Sequence, residues 1–245
     1  MNAIELIFTS PQAVELPIAY HALVQGLLYS VWRETRPFLH DAGFARGLRL
    51  FVFGPLEGRY QVAGRRIRFA SPLRLEVRSP VSGLLEDLCR ALPLRRELRL
   101  GNASLRLEQL TLRDQLVFPD STLIRARSPI ALYRTLPDRK TQYFAPGDPE
   151  WLPGLRRNLA EKLEGLGLDA PAELELEPVW PSLHKRVLRF KETYITGYLG
   201  KFRLRTDPEA MAVLYYAGLG SRNSQGCGMF DILSACPPAE HEEAP

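Results

Sequence analysis

At 245 residues the chain can form one large or two ordinary domains, since domain sizes cluster at roughly 100–150 residues. Hydrophobic residues make up 45% and charged residues 24%, a composition that excludes a mainly disordered protein. The net charge is +4, and 27 of the 32 basic residues are arginine, whose planar guanidinium suits bidentate contact with phosphate. Composition alone does not separate an acidic polymer partner from the arginine codon bias of a GC-rich genome.

Cysteine usage and apolar runs narrow the class of protein further. Cys89, Cys227 and Cys236 are an odd number without C-x-x-C spacing, which indicates neither a disulfide framework nor a cysteine zinc site. No basic segment precedes the first apolar run, and no run approaches the length of a membrane-spanning helix. We therefore expect a cytoplasmic protein with no membrane partner.

Hydrophobic periodicity predicts the order β-α-β-β-α-β in the first half of the chain. Residues 65–79 alternate apolar and charged side chains, as a half-buried strand does. The predicted elements are a strand at 2–8, a helix from about 17 to 33 with Pro17 near its first turn, strands at 47–54 and 65–79, a helix at 80–92, and a hairpin around Gly101–Asn102.

The same order of elements is predicted again after about residue 122, without repetition of the sequence itself. The fold class is therefore α+β, with two tandem ferredoxin-like domains, 1–122 and 123–245. The predicted elements are a strand at 122–134, a helix beginning near Asp148, a strand at 172–180, a long strand or hairpin at 185–206, a helix capped by Asp207 with Pro208 at its first position, and a strand at 229–235.

Four glycines form the pattern G-x-G-x5-G-x-G between the last predicted helix and strand. They are Gly218, Gly220, Gly226 and Gly228. The spacing fits neither a P-loop nor a dinucleotide fingerprint, which disfavours a mononucleotide enzyme. Two interpretations stay open: a tight turn, or a backbone cradle for the phosphates of a longer anionic chain. In the second, Arg222, Asn223 and Ser224 would add polar contacts to that chain.

The glycine pattern and its following strand resemble those of the repeat-associated RNA-binding (RAMP) superfamily. In particular they resemble the CRISPR-associated endoribonuclease that cuts precursor CRISPR RNA within its repeats. The segments "ALVQGLLYSVW", "FLHDAGF", "LRLFVFGP" and "RSPIALYR" agree with it in the same chain order. The resemblance implies metal-independent cleavage by the 2′-hydroxyl, with no cofactor and with CRISPR repeat RNA as partner. It leaves open a homodimer and association with a CRISPR effector complex.

The resemblance also implies catalytic residues in the first half. His40 matches the catalytic histidine, and Tyr29 a tyrosine that orients the reacting hydroxyl. From the residues alone, a backbone-bonded helix-terminal histidine and an ordinary half-buried tyrosine compete with these roles. His21 lies on the same predicted helix face as Gln25 and Tyr29, four residues apart. It is either a second catalytic or substrate-positioning group or an exposed helix residue.

The cationic position of the family is often lysine, but here it is Arg49. Arginine can stabilise the phosphate charge but is effectively never deprotonated, so more of the proton transfer falls to His40. Arg46 is the alternative cation, and either arginine could be a solvated strand-edge charge. His184 is expected on the surface or against RNA backbone, and His241 in a solvated acidic tail.

Two further hypotheses come from other classes of function. A non-catalytic RAMP-type subunit that coats CRISPR RNA would share the fold and the glycine loop. The combination of His40, Tyr29 and Arg49 favours the nuclease over it. A general single-strand RNA-binding module is weaker, because the strand signature of an RNA-recognition motif is missing from the sequence.

Overall fold

The computed structural model describes residues 2–41, 43–44, 47–114, 116–169 and 173–235, except for the side chains of residues 40, 234 and 235. Three residues considered above, Arg46, Cys236 and His241, lie outside this range. Across the described part of the chain, no helix is long and apolar enough to cross a membrane.

The N-terminal half is built around one antiparallel sheet. Its strands follow the order β3-β6-β1-β8-β7, with α1 and α3 as the two crossover helices. In chain order the elements are β1 (Ala3–Thr9), β2 (Val14–Pro17), α1 (His21–Thr35), α2 (Phe38–Asp41), β3 (Val52–Phe53), β4 (Tyr60–Ala63), β5 (Arg66–Phe69), β6 (Leu73–Arg78), α3 (Ser82–Ala91), β7 (Leu98–Leu100) and β8 (Ala103–Leu112).

The C-terminal half repeats this topology in a second antiparallel sheet. Its strands follow the order β12-β15-β9-β16, so the first strand lies between the third and the fourth, as in ferredoxin-like folds. In the N-terminal sheet β1 lies in the same way between β6 and β8, the second strand of the closing hairpin. The predicted tandem ferredoxin-like fold is confirmed. The elements are β9 (Ser121–Ala126), β10 (Tyr133–Thr135), β11 (Thr141–Tyr143), α4 (Trp151–Leu166), β12 (Leu174–Pro178), β13 (His184–Phe190), β14 (Thr193–Leu199), β15 (Lys201–Thr206), α5 (Pro208–Ala217) and β16 (Phe230–Ala235).

Three predicted elements of the first half have different bounds. Helix α1 begins at His21 rather than near Pro17. Residues up to Pro17 belong instead to β2, which pairs with β5 in a separate three-stranded sheet. The single strand predicted at 65–79 is two strands, β5 and β6, because the chain passes from this small sheet to the main one. The strand predicted at 47–54 is shortened to Val52–Phe53.

One predicted strand of the second half is also divided. Of residues 122–134, the first part forms β9 and the last two residues belong to β10, which pairs only with β11 among the described strands. By contrast, the predicted start of α5 is confirmed: the Asp207 side chain accepts a hydrogen bond from Ala210 N at 2.8 Å, and Pro208 follows it.

Each half packs its helices over its own sheet, and buried charges join the two. Arg78 of β6 is 1% exposed and donates from Nη1 to the Phe230 carbonyl of β16 at 2.7 Å. Its Nε donates to Glu76 at 2.6 Å, and Glu76 also accepts from Arg127, which follows β9. The Arg78 guanidinium lies 3.8 Å from the centre of the Tyr215 ring on α5. The two halves therefore share one buried ionic network.

Candidate active site

A cleft of about 690 Å³ opens where the two halves meet the glycine loop, residues 218–228. The N-terminal half contributes Tyr29 of α1 and Arg49, which lies just before β3. The glycine loop contributes residues 221–225, and the far wall is formed by β10 and α4. Its volume is that of a typical ligand site. The fold therefore brings Tyr29 and Arg49 together with the predicted loop.

Tyr29 stands at the junction of helix, loop and strand. Its side chain is 9% exposed, and its hydroxyl is hydrogen-bonded to the Arg49 and Ser224 side chains. Burial raises the pKa of this phenol above its ordinary value of 10.0, although the Arg49 charge and both hydrogen bonds oppose the rise. The phenol is therefore protonated at neutral pH, and it can donate a hydrogen bond to a substrate oxygen.

Arg49 is tied to the segment that carries His40. Its guanidinium donates to the Gly47 carbonyl, and Nη2 donates to the Asp41 carbonyl at 3.2 Å. His40 precedes Asp41 in α2, so its backbone is one residue from this contact. The side chain of His40 is outside the described part of the structure, and its catalytic role stays a prediction.

The glycines of the loop are required by the packing of the protein itself. All four have a positive φ between 73° and 89°, a region that favours glycine. A Cβ on any of them would lie closer than 3.0 Å to an existing protein atom, a distance that real Cβ atoms essentially never show. The nearest atoms are Asn223 Nδ2 at 2.5 Å for Gly218, Ala131 O at 2.5 Å for Gly220, His21 Cδ2 at 2.7 Å for Gly226, and Leu219 O at 2.1 Å for Gly228.

This geometry supplies a reason for the glycine pattern that needs no ligand. The tight-turn interpretation accounts for all four positions by itself. The Asn223 side chain braces the turn, because Nδ2 donates to the Cys227 carbonyl at 3.0 Å and to the Leu219 carbonyl at 3.4 Å. Contact of the loop with a phosphate chain stays a prediction, and would be made by a loop whose shape is already fixed.

Lys162 of α4 is hydrogen-bonded to the loop, a role that was not predicted from the sequence. Its Nζ donates to the Gly218 carbonyl at 2.5 Å and to the Gly220 carbonyl at 2.8 Å. The residue is only 3% exposed, and burial lowers the pKa of this amine to about 7. A signal was present in the sequence: Lys162 follows Leu155 and Leu159 on the apolar stripe of its helix, where a solvated lysine would not lie.

The predicted shared face of α1 is the surface that contacts the loop. Gln25 Nε2 donates to the Ser224 carbonyl at 2.7 Å, next to the contact between Tyr29 and the Ser224 side chain. One turn earlier, His21 Cδ2 lies under Gly226. Spacing of four residues on a helix thus brings three side chains against two loop residues, Ser224 and Gly226.

His21 is buried, so the hypothesis of an exposed helix residue is wrong. It is 8% exposed and stacks on Tyr20 with ring centres 4.8 Å apart. Burial lowers the pKa of its imidazole to about 4, so it is neutral near pH 7. The described lining of the cleft does not include His21, and its Nδ1 has no hydrogen-bond partner among the described residues. A catalytic role for it stays an untested prediction.

Arg222 of the glycine loop also lines the cleft. Its backbone is left-handed, with a φ of 63°, and its guanidinium lies 4.1 Å from the centre of the Tyr133 ring. It is also hydrogen-bonded to the Tyr143 side chain. His184 is exposed on β13, where its Nδ1 lies 3.2 Å from the Ser182 carbonyl. Of the sequence-predicted residues, the cleft therefore brings together Tyr29, Arg49 and the loop residues 222–224.

Known proteins resemble the chain over nearly its whole length. Residues 113–232 match the family described as CRISPR associated protein Cas6, C-terminal. The CRISPR-associated endoribonuclease Cas6 of Pyrococcus furiosus is 24% identical over 241 residues, which are 95% of this chain and 89% of the relative.

Two solved structures share the fold. The product of a Cas6-related gene from Pyrococcus furiosus has a TM-score of 0.82 at 17% identity, over 95% of this chain and 98% of that one. A protein described as an RAMP protein binding different RNA substrates has a TM-score of 0.80 at 17% identity, over 96% of this chain and 100% of that one.

Proposed function

Because residues 113–232 match the family described as CRISPR associated protein Cas6, C-terminal, and the chain is similar to a Cas6 endoribonuclease over nearly its whole length, we propose that it is a metal-independent endoribonuclease of CRISPR repeat RNA. It cuts precursor transcripts within their repeats and releases mature CRISPR RNA. The single observation that carries the proposal is the meeting of Tyr29, Arg49 and Ser224 at one point of the cleft wall.

The proposed reaction is an in-line displacement at phosphorus. The 2′-oxygen next to the scissile phosphate attacks the phosphorus atom, and the bond from phosphorus to the 5′-oxygen of the next nucleotide breaks. The products are a 2′,3′-cyclic phosphate, which can open to a 3′-phosphate, and a 5′-hydroxyl end. The 2′-hydroxyl loses its proton to a base, and the leaving oxygen gains one from an acid.

Two residues of the cleft, together with His40 of the neighbouring α2, are proposed to meet three requirements of this reaction. Tyr29 donates a hydrogen bond and, held by Ser224 on one side, orients the reacting hydroxyl or a phosphate oxygen. Arg49 stabilises the negative charge that grows on the phosphate in the transition state, and stays protonated throughout. Proton transfer falls to His40, because histidine titrates near neutral pH and the segment carrying it is bonded to Arg49.

RNA binding in this proposal is shared by the glycine loop and the arginines around the cleft. The loop, with Gly218, Gly220, Gly226, Gly228 and the side chains of residues 222–224, contacts the RNA backbone as a rigid surface. Arg134 and Arg157 line the same cleft and are exposed, so they can meet phosphates without the cost of desolvation. Light scattering of the protein with and without repeat RNA decides between a monomer and a homodimer.

The test is incubation of the protein with the repeat RNA of its own CRISPR locus in EDTA. We expect cutting at one position, with a cyclic phosphate or 3′-phosphate on one product and a 5′-hydroxyl on the other. A single 2′-deoxy substitution at the scissile nucleotide should abolish cutting, whereas one placed two nucleotides away should not. Cutting of the 2′-deoxy scissile nucleotide would refute the mechanism. Tight binding without cutting would instead indicate a non-catalytic RAMP-type subunit.

A further inference from the structure

The part of the cleft lined by Tyr133 of β10, Asn158 of α4 and Arg222 of the glycine loop is called here its second end. The proposed cleavage step does not use these three residues. Here two polar atoms, Asn158 Oδ1 and Arg222 Nε, are covered and have no hydrogen-bond partner among the described residues. Buried polar groups are almost always paired, so the unpaired Asn158 acceptor in this cleft indicates a ligand that supplies a donor.

Arg222 forms a flat surface at this end of the cleft. Its guanidinium is held over the Tyr133 ring at 4.1 Å, and the Tyr143 side chain bonds to it. The residue keeps a left-handed backbone, with a φ of 63°, although it is not glycine. Strained residues of this kind are concentrated at functional sites, where the surrounding structure holds them in place. The guanidinium is therefore fixed in position before any ligand arrives.

We propose that this end of the cleft is a nucleobase subsite, which takes one adenine or cytosine of the repeat RNA. The base stacks on the guanidinium face turned away from Tyr133, since unstacked RNA bases pack on aromatic rings and on arginine planes. Its exocyclic amino group donates to Asn158 Oδ1, the pairing by which asparagine reads adenine. The proposal rests on the proposed function, because it assumes that RNA enters the cleft.

The Asn158 side chain can reach such a base at little cost. It lies on the cleft-facing side of α4, one turn before Lys162, and is half-buried. The terminal torsion of an asparagine amide is soft, so rotation about it turns Oδ1 into the cleft without a change of backbone. A donor from the base then satisfies an acceptor that the free protein leaves unpaired. Binding of the correct base is favoured for this reason over binding of a base without an amino group.

The experiment is a double-mutant cycle between protein and RNA. Affinity for the repeat RNA of the protein's own locus is measured by gel shift for a set of RNAs, each with one abasic nucleotide. The set is measured with the wild-type protein, with Asn158→Leu, with Arg222→Lys and with Arg157→Gln. Arg157 is the matched control, because it lies beside Asn158 on the same helix and lines the same cleft but is exposed. Thermal midpoints are recorded for every variant.

At one position of the repeat, we expect the abasic RNA to bind the wild-type protein on the order of 10-fold more weakly than the intact RNA. At that position the loss should shrink to near zero in Asn158→Leu and in Arg222→Lys. Uridine there should weaken binding to the wild-type protein and not to Asn158→Leu. Arg157→Gln should weaken all the RNAs by a similar factor and leave the position-specific loss intact.

Two outcomes would overturn the subsite. One is an abasic loss that stays the same in Asn158→Leu and Arg222→Lys at every position. The other is a position-specific abasic loss that shrinks as much in the Arg157→Gln control as in Asn158→Leu and Arg222→Lys. If one of the two subsite variants fails to fold, the same comparison with the abasic RNAs is made with the other variant alone. A wild-type protein that neither binds nor cuts the repeat would refute the proposed function itself, whereas cutting without base coupling would refute only the subsite.

Discussion

Replacement of Gly226 by alanine tests whether the glycine loop is shaped by the protein or for its ligand. A Cβ at this position would lie 2.7 Å from His21 Cδ2 and 2.8 Å from Phe53 Cε2, and the φ of 85° disfavours any side chain. The left-handed backbone costs about 1–2 kcal/mol for a residue with a Cβ. Overpacking of a well-filled site costs a further ~1–3 kcal/mol. We therefore expect Gly226→Ala to lower the free energy of unfolding by about 2–5 kcal/mol.

Gly167 provides the matched control. It ends α4 with a φ of 72°, but a Cβ there would meet nothing within 4 Å. Gly167→Ala therefore carries the backbone cost alone, about 1–2 kcal/mol. The difference between the two variants isolates the contact of residue 226 with His21 and Phe53.

The assay is thermal unfolding of both variants, followed by repeat-RNA affinity well below their midpoints. At roughly 2–4 °C per kcal/mol for a chain of this size, the midpoint should fall by roughly 4–20 °C in Gly226→Ala and roughly 2–8 °C in Gly167→Ala. Equal midpoints, with RNA binding weakened only in Gly226→Ala, would refute the packing argument. That result would support a glycine kept free of a side chain for the RNA.

Three further outcomes are expected. His40→Ala should cut repeat RNA about 10²–10⁴-fold more slowly in single turnover, because the histidine is proposed to transfer protons. Its gel-shift affinity should be nearly unchanged, because many phosphate contacts hold the RNA. Equal losses in cutting rate and affinity would indicate a binding or structural residue. The neutral His21, with its pKa lowered from 6.5 to about 4, should make the fold less stable as pH falls from about 6.5 to 4, because only the unfolded chain gains the proton. The loss should reach ~3 kcal/mol in urea titrations and should be missing from His21→Phe. Lys162→Met should destabilise the protein by ~1–3 kcal/mol, because two loop carbonyls lose their donor, and an unchanged urea midpoint would argue against that tether.

Much of the fold could be predicted because its signals are local. Asp207 before Pro208 caps α5, and the turn at Gly101–Asn102 joins β7 to β8. The tandem order of elements followed from such signals. The small sheet of β2, β4 and β5 was missed, because alternation shows that a strand is half-buried but not which strand it pairs with.

The features of the candidate site that could be predicted are also the local ones. The spacing of His21, Gln25 and Tyr29 correctly placed them on one helix face, since helix geometry is local. The reason for the glycines could not be read from the sequence, because the atoms that exclude a Cβ come from remote residues such as His21 and Ala131. The tether from Lys162 is equally non-local. Only its position on an apolar stripe distinguished it from the other lysines.

The buried arginine between the two sheets limits how the protein can move. Separation of the halves would pull Arg78 away from the Phe230 carbonyl and Arg127 away from Glu76, and so would break charged hydrogen bonds that join the two sheets. Hinge motion at this junction therefore costs the free energy of these contacts, which favours one spacing of the cleft walls. A binding surface that is already in place spends little of its interaction energy on ordering itself. Under the proposed function, the RNA is therefore the partner that adapts its shape to the cleft.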